Sequence, residues 1–249
     1  MFRGSIVALV TPMLDNGNID WQRLSRLVEW HIASGTDAIV AVGTTGESAT
    51  LNPAEHKAVV RHVVKQAANR IPVIAGAGGN ATAEAIELAL AAYEAGCAAT
   101  LQVAPYYNKP PQRGLYAHFK AVAEAVPMPH LLYNVPGRTA SDIQPATVCE
   151  LAAIDNIVGI KEASTMQRME ELRAVCPPDF TLLCGEDGLA AEAMCNGIVT
   201  GVVSVTANVA PDVMHAMTAA ALAGEHERCY ALNDRLKDLH EAMFYECKP

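Results

Sequence analysis

The amino-acid sequence predicts an α/β fold, a (β/α)8 TIM barrel with a helical segment appended after its eighth unit. Eight short apolar runs rich in β-branched residues recur along the chain, and helical patterns separate them. Alternation of this kind means βαβ units and a parallel sheet. A doubly wound open sheet shares that alternation, but eight units in one unbroken rhythm favour closure. A length of 249 residues also suits a single barrel.

The strand candidates are Ser5 to Val10, Ala38 to Val42, Val73 to Ala75, Thr100 to Val103, Leu131 to Tyr133, Ile157 to Ile160, Thr181 to Leu183 and Gly201 to Val205. Each is a continuous apolar run, as expected of strands buried on both faces. Between the first three lie amphipathic helices. In Trp21 to Ser34 the residues Leu24, Leu27, Val28 and Ile32 follow helical spacing, and in Ala54 to Ala68 Val59, Val60, Val63, Val64 and Ala67 do the same. The stretch "NPAE" from Asn52 places an N-cap, a first-turn proline and an early glutamate in the order a helix start requires. No Pro/Ser-rich linker interrupts the rhythm, so residues 1–224 are expected to form the barrel and 225–249 to begin a C-terminal helical region, with a helix over Glu225 to Phe244.

Composition excludes several classes. Eighteen Lys and Arg against 27 Asp and Glu leave a formal net charge of -9, which would be repelled by nucleic acid and by an anionic membrane surface. The N-terminus is too short in its apolar run for a signal segment, and no run is long enough to span a bilayer. Seven cysteines, Cys97, Cys149, Cys176, Cys184, Cys195, Cys229 and Cys247, are odd in number and form no CxxC pair. Reduced thiols in a cytoplasm are the expectation. The eight histidines include neither HxxxH nor HExxH, so no metal is expected. The "NAT" at Asn80 matches a glycosylation acceptor by chance.

"GAGGNA", Gly76 to Ala81, fits G-x-G-x-x-A after a strand and before a helix. The acid that would hold a ribose is absent from the end of the next strand, "LQVAPYY", so a nicotinamide cofactor is not expected. No G-x-S-x-G elbow is present either.

In a barrel the chemistry gathers at the C-terminal strand ends. There the second strand runs into "GTTGES", the fourth into "PYYN", the fifth into "YNVPGRT", and the sixth into Lys161. A lysine so placed can simply snorkel to water. Desolvation can instead favour the neutral amine, and a neutral amine attacks carbonyls to give a Schiff base. Tyr133 on the neighbouring strand brings a phenol able to shuttle protons, although a core tyrosine would look the same in sequence. Thr44 and Thr45 lie in a glycine-flanked turn whose hydroxyls and N–H groups suit a carboxylate or plain turn capping. Arg138, two residues after Pro136, suits a bidentate carboxylate clamp. Together these residues read as an aldolase-type site for a small keto acid.

"GTTGES", "YNVPGRT" and "GIKEAS", in that order, resemble the signatures of the dihydrodipicolinate synthase family within the N-acetylneuraminate lyase superfamily. "GSIVALVTPM", "PVIAGAGGNATAEAI", "APYYNKPPQRGLYAHF" and "GVVSVTANVAP" extend the resemblance over nearly the whole chain. It implies a barrel that condenses pyruvate with L-aspartate 4-semialdehyde in lysine and diaminopimelate biosynthesis, without a cofactor. The Schiff-base lysine then falls on Lys161 and the proton relay on Tyr133, Thr44 and Tyr107. Tyr107 would serve the adjoining subunit, implying a homotetramer built as a dimer of dimers. Thr45 would bind the pyruvate carboxylate, Val203 would line the pocket, and Arg138 would receive the carboxylate of the second substrate.

Sialic acid lyases generally lack the Pro-Gly-Arg-Thr arrangement, which makes N-acetylneuraminate or 2-keto-3-deoxy sugar acid cleavage the second reading. A catalytically silent ligand-binding barrel is the third. Ser48, Ala49, His56, Asn80, Glu84 and Tyr106 match the inhibitory lysine site of some family members, while Pro53 departs from the histidine often found there. The family pattern continues past "FYECKP" into further helices, so a shortened C-terminal segment is expected.

Overall fold

The computed structural model describes residues 2–246; Cys247 and the last residues of the expected helical region lie outside them. Eight parallel strands close into a barrel in sequence order. They are β1 (Gly4–Ala8), β2 (Ala38–Ala41), β3 (Val73–Gly76), β4 (Ala99–Val103), β5 (His130–Asn134), β6 (Ile157–Glu162), β7 (Thr181–Cys184) and β8 (Gly201–Ser204). The helices are α1 (Trp21–Ala33), α2 (Pro53–Ala67), α3 (Thr82–Ala95), α4 (Gln112–Ala125), α5 (Pro136–Thr139), α6 (Pro145–Leu151), α7 (Met166–Val175), α8 (Asp187–Cys195), α9 (Pro211–Leu222) and α10 (His226–Ala242).

Alternation along each strand divides the apolar residues between two layers. Ile6, Val40, Ile74, Leu101, Leu131, Leu183 and Val203 fill the barrel. Val7, Ile39, Leu132, Ile160, Leu182 and Val202 face outward onto helix residues such as Leu24, Val28, Val63 and Phe119. Each such side chain, once fully buried, contributes about 1.5 to 3 kcal/mol relative to exposure. The ring closes where Gly4 of β1 pairs with Gly201 of β8. A Cβ on Gly201 would lie 2.5 Å from the Gly4 carbonyl oxygen, so the seam requires a residue without a side chain.

Local signals explain the helix starts. Asn52 Oδ1 accepts from the Ala54 and Glu55 N–H groups, and Glu55 accepts in return from the Asn52 N–H at 3.1 Å. This reciprocal cap is worth about 1 kcal/mol. Asp20 caps α1 by accepting from the Arg23 N–H at 2.8 Å.

Two features differ from the sequence expectation. β6 does not stop at Ile160 but runs through Lys161 to Glu162, because both polar side chains are buried there. Two helices, α5 and α6, occupy the connection from β5 to β6. Within Gly76 to Ala81, Gly76 and Gly78 serve packing between strand ends: a Cβ on Gly76 would lie 2.1 Å from the Val42 carbonyl oxygen, and one on Gly78 would lie 2.2 Å from the Val103 nitrogen. α10 packs on α8 and α9, outside the barrel. Among the described residues no helix is long and apolar enough to cross a membrane, and Cys97, Cys149, Cys176, Cys184, Cys195 and Cys229 are free thiols.

Candidate active site

β5 and β6 pair with Tyr133 opposite Lys161 and Asn134 opposite Glu162. Alternation therefore turns Tyr133 and Lys161 into the barrel and Asn134 and Glu162 toward the helices. Lys161 is 6% exposed, and its Nζ lies 4.3 Å from the centroid of the Tyr133 ring. The contact is with the ring face, an attraction of about 1 to 2 kcal/mol for a desolvated ammonium. Room for the lysine stem comes from Gly185 after β7, where a Cβ would approach Lys161 Cε to 2.9 Å.

Tyr133 also lines a recess together with Thr44, Ser48, His56, Leu101 and Val103. It thus joins the lysine to the β2 turn. That turn begins with a strained residue, since Val42 holds φ 55 although it is β-branched. Thr44 is half-buried and Thr45 is buried at 3% exposure. Val203 lies in the same interior cluster as Tyr133.

Arg138 stands exposed on the short α5, beside the segment that carries Tyr107. The two segments are stitched together: the Tyr107 N–H donates to the Thr139 carbonyl at 3.2 Å, and Ser141 Oγ donates to the Pro105 carbonyl at 2.6 Å. Tyr107 itself has φ 73 and is 89% exposed, so this chain does not fold its ring into its own barrel.

A second recess adjoins the first and is lined by Ser48, Ala49, Pro53, His56, Glu84 and Tyr106 among others. Asn80 does not line it but supports it, donating from Nδ2 to the Tyr106 carbonyl at 3.2 Å. His56 is held by the Gly76 carbonyl at 2.7 Å. Burial pushes His56 below the usual histidine range, against the pull of Gly76 and Glu84. Burial and then Glu84 push the Tyr106 phenol up.

The outward-facing pair is a feature that apolar patterning does not reveal. Asn134 Nδ2 donates to Glu162 Oε2 at 2.9 Å and Oε1 at 3.2 Å, and also to Asp142 Oδ1 at 2.9 Å. Asn134 Oδ1 accepts from the Ile143 N–H at 3.0 Å. From α7, Arg168 grips Asp142 with Nη1 at 2.8 Å and Nη2 at 3.1 Å. Burial drives Glu162 up to about 7, although hydrogen bonds from Asn134 and Ser164 favour its ionised form. For Asp142 the upward push of burial is outweighed by Arg168 and Asn134, which hold it below the usual carboxylate range. The signal that could have exposed this pair is register: each member directly follows a candidate catalytic residue.

The sequence profile of the Dihydrodipicolinate synthetase family matches residues 1–249. The 4-hydroxy-tetrahydrodipicolinate synthase of Dichelobacter nodosus is 58% identical over 100% of this chain and 84% of its own length. Among solved structures, the chloride-inhibited dihydrodipicolinate synthase from Acinetobacter baumannii complexed with pyruvate superposes with a TM-score of 0.98 at 49% identity, covering 100% of this chain and 86% of that one. The enzyme from Cyanidioschyzon merolae with lysine bound gives 0.95 at 40% identity, covering 100% and 85%. With its closed eight-strand barrel and a lysine and tyrosine abreast at the mouth, the chain belongs to the dihydrodipicolinate synthetase family.

Proposed function

We propose that this chain condenses pyruvate with L-aspartate 4-semialdehyde to 4-hydroxy-tetrahydrodipicolinate through an imine on Lys161. One observation carries the residue assignment. Lys161 and Tyr133 are buried side by side inside the barrel, with the amine 4.3 Å from the phenol ring centre.

The neutral amine of Lys161 attacks C2 of pyruvate, and the carbonyl oxygen leaves as water once protonated. Tyr133 and Thr44 flank the recess and relay those protons. Loss of a C3 proton gives an enamine, whose C3 bonds to the aldehyde carbon of the second substrate. The aldehyde oxygen takes up a proton and becomes the product hydroxyl. Attack by the substrate's own amine at C2 then closes the ring and frees Lys161. Thr45 and its turn hold the pyruvate carboxylate, Val203 shapes the pocket floor, and exposed Arg138 receives the carboxylate of the semialdehyde.

Tyr107 is assigned to a neighbouring subunit in a homotetramer built as a dimer of dimers. Its 89% exposure in the single chain supports that role, since a tyrosine held at positive φ in water otherwise gains little. The second recess is assigned to lysine as an inhibitor: Glu84 offers a carboxylate for an ammonium, and Ser48, His56 and Tyr106 surround it. The barrel, residues 1–224, carries every proposed catalytic group.

A coupled assay with pyruvate and aspartate semialdehyde, run beside N-acetylneuraminate, tests the reading. Turnover of the first pair, slowed by added lysine, is expected. Cleavage of N-acetylneuraminate without condensation would refute it.

A further inference from the structure

Directly behind Lys161 and Tyr133, on the other face of the same two strands, Glu162 and Asn134 form a pair of their own. We propose that Glu162 is a positioning residue: with Asn134 it clamps the ends of β5 and β6 so that Lys161 and Tyr133 stay abreast, and it does so while its carboxylate is ionised. The proposal rests on the imine reading of Lys161.

Geometry is the first support. Tyr133 pairs with Lys161, and the very next rung of the ladder joins Asn134 to Glu162 by side chain as well as by backbone. Glu162 and Asn134 are both 0% exposed. A shift of that rung moves the rung before it, and a displacement of about 1 Å at a reacting group can cost a hundredfold in rate.

Hydrogen-bond accounting is the second. Asn134 Nδ2 turns two donors outward, toward Glu162 and Asp142, while Ser164 adds a further side-chain bond to Glu162. An ionised carboxylate only accepts and satisfies these donors. A protonated one carries an O–H on one oxygen, which must turn away from Asn134 or displace it.

The third is cost. Arg168, the nearby cation on α7, is already committed to Asp142 and Glu171. Glu162 shares only its field, so burial dominates and pushes the carboxyl up to about 7. On β7 the thiol of Cys184 pairs in register with Glu162, and burial pushes it up to about 12, which leaves it neutral. On its own strand the preceding residue is Lys161, across the barrel wall. A buried acid whose bonds all favour the form that burial opposes is costly as scaffolding. Such costs persist where a function needs them.

The test compares kcat and KM of the wild type and Glu162→Gln between about pH 6 and about pH 8, either side of the Glu162 titration. Gln keeps the shape but, like the protonated acid, presents one acceptor and one donor group. If only the ionised form holds the clamp, the ratio of wild-type to variant kcat rises about tenfold across that range, with the KM for pyruvate little changed. A flat ratio overturns the proposal. Ser164→Ala gives an independent reading, because losing a donor to the carboxylate must move the wild-type midpoint upward; an unmoved midpoint overturns it too. Absence of wild-type turnover would sink the imine reading and this proposal together, whereas turnover with a flat ratio sinks this proposal alone.

Discussion

At the scale of single residues, Tyr133 and Arg138 lie in different surroundings. Tyr133, proposed to relay protons on pyruvate, lines the inner recess, while Arg138, proposed to receive the second substrate, stands exposed. Tyr133→Phe keeps the ring face under the Lys161 amine and removes only the hydroxyl, so kcat is expected to fall about a hundredfold or more. Arg138→Ala is expected to raise the KM for aspartate semialdehyde about 10- to 100-fold and leave pyruvate binding unchanged, the worth of one charge-assisted pair. Steady-state kinetics with each substrate varied in turn checks both. Lys161 and Tyr133 were legible because each stands at the polar end of an apolar run. Asn134 and Glu162 stand equally close to those ends, yet Asn134 meets Asp142 and Glu162 only across 8 and 28 residues of chain. Nothing local marks them as buried, since that follows from strand pairing.

Among the elements, the strand ends decide the site. The apolar runs locate all eight strands, because parallel strands covered on both faces need continuous apolar sequence. Their ends are less legible: β6 continues through a lysine and a glutamate beyond the apolar run Ile157 to Ile160. The glycine pattern at Gly76 to Ala81 likewise imitates a phosphate loop, and only the neighbouring backbones show that it admits Val42 and Val103 instead. Gly185 offers a direct probe of how an element end positions a side chain. Gly185→Ala would bring its Cβ to 2.6 Å from Ala163 Cβ and 2.9 Å from Lys161 Cε. A loss of about a hundredfold in kcat is expected for the displaced amine, with an unfolding penalty of only about 1 to 3 kcal/mol. Urea melts and kinetics on the same sample measure the two; unchanged kcat would mean that Lys161 reaches pyruvate from elsewhere.

For the whole molecule, buried titratable groups pull stability in opposite directions with pH. Burial lowers His31 to about 4, so the folded chain binds fewer protons there than the unfolded one. The His31 contribution is full above about 6.5 and is lost as pH falls through about 4, a span of about 3 kcal/mol. Burial also lowers His118 and His130, which act with the same sign. Glu162 runs the other way. Its folded value of about 7 exceeds the ordinary 4.5, so its contribution is full below 4.5 and is lost as pH rises through 7. Glu162→Gln removes this opposing effect. Between about pH 7.5 and pH 4.5 the variant is therefore expected to lose about 3 kcal/mol more stability than the wild type in urea unfolding. Parallel pH profiles would contradict the burial assigned to Glu162.

The central claim is the imine on the inward-facing amine of β6, and covalent trapping tests it most directly. Borohydride added to the folded protein with pyruvate, followed by peptide mass spectrometry, is expected to place one three-carbon adduct on Lys161 and to leave the other lysines unmodified. An unmodified Lys161 in folded protein, or an adduct on a different lysine, would contradict the account.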